Sequence, residues 1–244
     1  MSEKFNSILS EVKKIKKPIS AYLPTSYKSV ELLPLSLNQQ KAIIESTVDG
    51  AISLLNFNTN LYKIVTQNIT ETQDITTIDR VNLALTLRQQ IQDNLTIDEK
   101  TYSLNSVIVK NKELKCPKLT HTVTSSDFVF SLKVPTLESD NKINQFIIKK
   151  HKTSDEKMKG FISDLYVGEI LKFIENIKVI SSDTEITISS TSVSEGFGLL
   201  EAIDSSEFTD IIKYITTIRE FEKELTKVTN SEQFIDITPD LFVI

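Results

Sequence analysis

Cys116 and His121 stand five residues apart and, with His151, make up the whole thiol and imidazole complement of a 244-residue chain. A zinc site needs three or four ligands, so this pair falls short of one. A Cys-His nucleophilic pair needs a third group to orient the base, and nothing near either residue marks it. Both read as ordinary strand or loop residues. The Gly196-x-Gly198 of EGFGLLEAI lacks the third glycine and the strand-to-helix setting of a dinucleotide loop. It reads as loop or helix-entry flexibility. Walker-type lysines and G-x-S-x-G elbows are missing. The carboxylates are spread along amphipathic segments, where a solvated face is the default, and paired acids for glycosidic chemistry would need a cleft to converge in. Lys13, Lys14, Lys16 and Lys17 could meet phosphates, but in a chain of formal charge −5 they read better as solvated cations suiting a helix C-terminus. No catalytic residue, cofactor or metal is therefore expected. A small hydrolase with an unrecognised carboxylate site is the outlying alternative.

Composition narrows the class. Hydrophobic residues at 39% and charged residues at 25% are ordinary for a globular protein and unlike a disordered one. Five glycines are too few for a fold built on glycine-rich phosphate loops. The acidic balance does not imply a nucleic-acid surface. One cysteine excludes an intramolecular disulfide and fits a reducing compartment. No apolar run approaches the roughly 18 residues of a membrane span, and MSEKFNSILSEVKKIKK has no continuous apolar signal core. The N-x-T sequons at Asn68 and Asn94 are then coincidental, and an intracellular protein is expected.

These side chains must be carried by an α+β fold. Phe5, Ile8, Leu9, Val12 and Ile15 have the spacing of an amphipathic helix, ended by Pro18. Residues 18–23 and 29–33 alternate as a β-hairpin around PTSYK. Pro34 stops the second strand, and Ser36 with Gln39 forms a capping box for a helix running to about Asn56. Helices follow at about 60–70 and 76–92, the latter with Asp79 in its first turn. Tyr102, Leu104, Val107 and Val109, then 122–123 and 128–134, predict a small antiparallel sheet ending at Pro135. Asp140 is expected to cap a helix bearing Ile143, Phe146 and Ile147. Ser154 precedes one carrying Phe161, Ile162, Leu165, Ile170, Phe173, Ile174 and Ile177. A short hairpin at 178–188, a final helix at 206–227 and an extended apolar tail FIDITPDLFVI complete the reading. The segments are thus 1–17, an amphipathic helix; 18–98, hairpin and helices; 99–137, a small β segment; and 138–244, helical with a hairpin and the tail. The boundary near 137–141 is soft.

The order of these elements resembles the baseplate hub proteins of T4-like, contractile-tailed bacteriophages. ISAYLPTSYKSVELLPLSLNQQKAII is similar to their opening, with Leu23, Pro24, Pro34, Leu35, Gln39, Gln40 and Lys41 at the matching positions. TIDRVNLALTLRQQI resembles their Asp-led helix with a Leu-Arg pair, here Asp79, Leu87 and Arg88. GEILKFIENIKV, LLEAIDSSEFTDIIKYITTI and the tail around Thr238, Pro239 and Phe242 complete the order. The likeness covers roughly 18–244. The leading helix and the polar stretch 181–195 depart from it. The resemblance implies a non-enzymatic assembly chaperone that binds other baseplate hub proteins in the host cell cytoplasm. The alternative is a permanent structural subunit of the hub, within the virion tail. Neither nucleic acid nor membrane is an expected partner. Phe5, Ile8, Leu9 and Val12 in the leading helix, and Leu241 and Phe242 in the tail, are the candidate partner-binding residues, because their apolar area is the least surely needed at home.

Overall fold

The corner at Pro34 sets the first third of the molecule. In the computed structural model, which describes residues 17–46, 52–70, 74–151 and 157–243, β1 (Ile19–Leu23) and β2 (Lys28–Leu32) form an antiparallel hairpin. Helix α1 (Leu37–Glu45) starts at the expected capping box: Ser36 Oγ accepts from the Gln39 amide, and Gln39 Oε1 accepts from the Ser36 amide at 2.9 Å. Gln39 also donates to Asn68 at the end of α2 (Ser53–Asn68), and Asn68 donates to the Leu33 carbonyl. Thus the corner is tied to the second helix as well as to the first.

The one helix expected to reach Asn56, and the next at 60–70, are instead α1 and α2, with 47–51 between them outside the described residues. Asn60 donates to the Ala42 carbonyl at 3.0 Å, so the two helices pack on each other, which one continuous helix could not do. The amphipathic helix expected at 5–15, with Phe5, Ile8, Leu9 and Val12, also lies outside the described residues, as does Ser154.

Helix α3 (Thr77–Ile91) is buried on nearly every side, so its polar residues must find partners. Asp79 accepts from the amide and hydroxyl of Thr25 and from those of Thr76, locking the hairpin turn onto the helix start. Asn82 donates to the Tyr22 carbonyl, and Asn111 bridges Asn82 to the Leu225 carbonyl. Arg88 donates to the carbonyls of Leu241 and Gln92, both at 2.6 Å.

Leu104, Val107 and Val109 are not in a strand. They lie in α4 (Leu104–Asn111), capped by Ser103; Leu104, Val107, Ile108 and Asn111 bury the face. That i, i+3, i+4, i+7 spacing outweighs the β-branched composition. Before it, β3 (Asn94–Ile97) and β4 (Lys100–Ser103) make a hairpin whose two turn residues, Asp98 and Glu99, both have positive φ. A two-residue turn of this kind favours Asn-Gly. Glu99→Gly is expected to raise stability by up to about 1 kcal/mol, the left-handed strain relieved being offset by a looser unfolded chain. Urea unfolding of the variant checks it.

Strands β5 (Thr120–Thr124), β6 (Phe128–Lys133), β7 (Ile174–Val179) and β8 (Thr184–Thr187) form one antiparallel sheet in that order. Residues on both sides of the soft boundary at 137–141 therefore share a sheet. The junction is also tied to α3: Thr77 donates to the Pro135 carbonyl and Leu137 to that of Ile75. Helix α5 (Leu137–His151) begins three residues before Asp140, with Thr136 Oγ1 accepting from the Ser139 amide as the cap. Helix α6 (Lys157–Phe173) ends at Phe173, and Ile174 and Ile177 belong to β7, where pairing with β6 overrides helix periodicity. Helix α7 (Val193–Glu201) contains Gly196 and Gly198, so this stretch is helix and not a loop. A Cβ at Gly196 would sit 3.0 Å from Leu171, which makes it a packing glycine. A 3₁₀ turn at Ser205–Phe208 leads into α8 (Thr209–Leu225), and the tail closes in another 3₁₀ turn, Pro239–Phe242.

Candidate partner-binding groove

Five charged pairs link α3, α5, α6 and α8. Asp140 on α5 is buried and meets Arg80 of α3 at 2.9 Å and Lys172 of α6 at 2.8 Å. Burial alone would raise its carboxyl, but Arg80 and Lys172 overcome that and hold it at about 2. Lys172 also faces Glu169, which pairs with Arg219 of α8, and Arg219 pairs in turn with Glu222. Burial opposes ionisation of Glu169 as well, yet Arg219 and Lys172 leave its carboxyl below the ordinary range. Burial would lower the Arg219 guanidinium, but Glu222 and Glu169 raise it. Glu169 and Arg219 are each about one third exposed, so water screens this end more than the Asp140 end. The chain of charges runs α3–α5–α6–α8 and ties α6 to α8 through Glu169 and Arg219.

Above that brace lies an apolar groove of ≈ 320 Å³, lined by Tyr166 and Ile170 of α6 and by Ile212, Ile215 and Thr216 of α8. Ile162 and Tyr166 are 59% and 55% exposed, although their neighbours Phe161 and Ile170 are core residues. Ile162 and Tyr166 stand one helical turn apart on α6, and Tyr166 reaches the groove. A ridge beside a two-helix groove is the shape that accepts a third helix. Arg219, Glu220 and Lys223 supply a polar edge.

Among the described residues, those singled out for chemistry do not gather; Lys13, Lys14 and Lys16 lie outside the described residues. Cys116 sits half-buried in the loop before β5, its amide donating to the Tyr27 hydroxyl at 3.0 Å. Burial, with Asp79 nearby, pushes its thiol up to about 11, so it is not a ready thiolate at neutral pH. His121 stacks on Tyr214, ring centroids 5.3 Å apart. His151 ends α5 with Nε2 at 2.6 Å from Asp164 Oδ2, a carboxylate also met by Lys150. Burial would raise Asp164, but Lys150 and His151 bring it below its usual range. Among the described residues no group of three or more His, Cys, Asp and Glu could hold a metal ion. No helix among them is long and apolar enough to cross a membrane.

Of the candidate contact residues, Leu241 and Phe242 are 5% and 0% exposed. Phe242 packs 6.2 Å from Phe57, its carbonyl accepts from Gln40, and the Leu241 carbonyl accepts from Arg88. Their apolar surface is used within this chain. Gln40 and Arg88 are thus tail clamps. Ile162 and Tyr166 replace the tail as exposed apolar candidates. A signal for them was present: α6 carries apolar residues at 161, 162, 165, 166 and 170, more than one buried stripe needs.

No protein-family model, curated protein or solved structure matches this chain.

Proposed function

We propose that this chain is a non-enzymatic assembly protein of a contractile-tail baseplate, binding hub subunits in the host cytoplasm through the α6–α8 groove. The observation that carries the reading is the exposed Ile162–Tyr166 ridge beside the apolar groove. The ordered likeness to phage hub proteins supplies the partner class. A helix of a hub subunit laid in the groove would cover its own apolar face until the hub closes.

Co-expression with candidate hub proteins followed by pulldown tests this. Ile162→Asp combined with Tyr166→Ser is expected to reduce capture at least about tenfold. Both side chains are exposed, so stability should stay within about 0.5 kcal/mol of the parent. Undiminished capture would remove the groove from the reading, and capture of no hub protein would remove the reading itself. Stoichiometric peptides of this chain in purified particles would replace the chaperone with the structural subunit.

A further inference from the structure

A second depression lies where β6 gives way to α5 and α6 runs straight into β7, walled on one side by the connection Ile188–Val193. At ≈ 260 Å³ it is just below the roughly 300–1,000 Å³ of sites for drug-sized ligands, so its occupant is small. Ile143, Leu171 and Ile174 give it an apolar lining. Lys133, Lys142 and Lys172 also line it, against one carboxylate, Glu175.

The three lysines differ in their commitments. Lys172 has a side chain nine-tenths buried, held by Asp140 Oδ1 at 2.8 Å, with Glu169 at 3.6 Å. An ammonium has three donors, so this geometry leaves hydrogen-bonding capacity beyond Asp140. Lys142 pairs with Glu138 at 2.8 Å, but both are nearly two-thirds exposed, and such a pair is easily exchanged. Lys133 is exposed at the end of β6. Aliphatic surface beside ammonium groups suits a ligand with a greasy body and an anionic end. Ser192, which caps α7, also lines the depression, with its amide donating to the Glu195 carboxylate at 2.8 Å and its hydroxyl accepting from the Glu195 amide at 3.2 Å.

We infer that this crevice binds a small carboxylate carried on an apolar chain. The chain lies on Ile143, Leu171 and Ile174, and the carboxylate is met by Lys133, Lys142 and Lys172. A free acyl chain and the C-terminus of a polypeptide share this chemistry. The inference does not depend on the α6–α8 groove or on the hub reading.

Titration of the full chain, followed by the δ1-methyl resonances of Ile143 and Ile174, tests it with three probes: octanoate, N-acetyl-leucine and octanol. Saturable shifts of these methyls are expected with a carboxylate, and octanol should bind at least about tenfold more weakly, since it lacks the charge-assisted contacts. Tighter octanoate identifies an acyl chain; tighter N-acetyl-leucine identifies a chain terminus. Lys133→Glu with Lys142→Glu, both at exposed positions, should weaken the better carboxylate by about tenfold or more while the rest of the methyl spectrum stays in place. Octanol binding as well as octanoate, no saturable shift at these methyls, or a charge-reversed variant that binds normally would overturn the assignment.

Discussion

Asp140→Asn is expected to remove about 3–5 kcal/mol of folding stability, because it leaves Arg80 and Lys172 facing a neutral amide inside the protein. The same residue should govern the acid limb of stability. Its carboxyl is held at about 2 in the folded chain, against roughly 3.9 when unfolded. A depressed carboxyl stabilises the fold above the unfolded value, and that contribution disappears as pH falls through the folded one. Between about pH 5 and pH 1 the parent should therefore lose roughly 2–3 kcal/mol through this group. Asp164, also lowered, adds to the slope in the same direction. Urea unfolding across this range should give a shallower acid limb for Asp140→Asn than for the parent. Superimposable limbs would mean that the charge chain does not brace α5 and α6 against α3.

Phe242→Ala should cost about 3–5 kcal/mol, the range for emptying a fully buried aromatic site. The residue is near the end of the chain, where loss of a side chain is often harmless. Here its ring faces Phe57, and its own and the preceding carbonyl are held by Gln40 and Arg88. Thermal unfolding and partner capture, measured together, separate two roles. A packed tail predicts a large loss of stability, with capture recovered at low temperature where the variant is folded. A tail reserved for a partner predicts unchanged stability and lost capture. The first outcome is expected, and it would leave Ile162 and Tyr166 as the exposed apolar contacts of the proposed groove.

Several elements were legible because the interactions that define them are short in sequence. Pro34 ending a strand, the Ser36–Gln39 box and Asp79 in the first turn of its helix act across three residues or fewer, so neighbouring letters carry them. Where composition and period disagreed, composition misled: the β-branched residues around Val107 sit in a helix because 104, 107, 108 and 111 share a face. The two halves of the sheet could not be joined by such rules. β6 and β7 are separated by a helical hairpin, and a strand shows its own alternation without naming its partner.

The candidate surface follows the same division. Amphipathic α6 and α8 could be read from spacing, as could the i, i+3 pairs Glu169–Lys172 and Arg219–Glu222. Their assembly through Asp140, and the choice of Ile162 over Phe161 as the exposed residue, came from packing between segments tens of residues apart. Caps, turns and helix faces were set by contacts a few positions away in the chain. Which apolar face was buried, which was left to water, and which charges met were set by distant elements competing for the same interior.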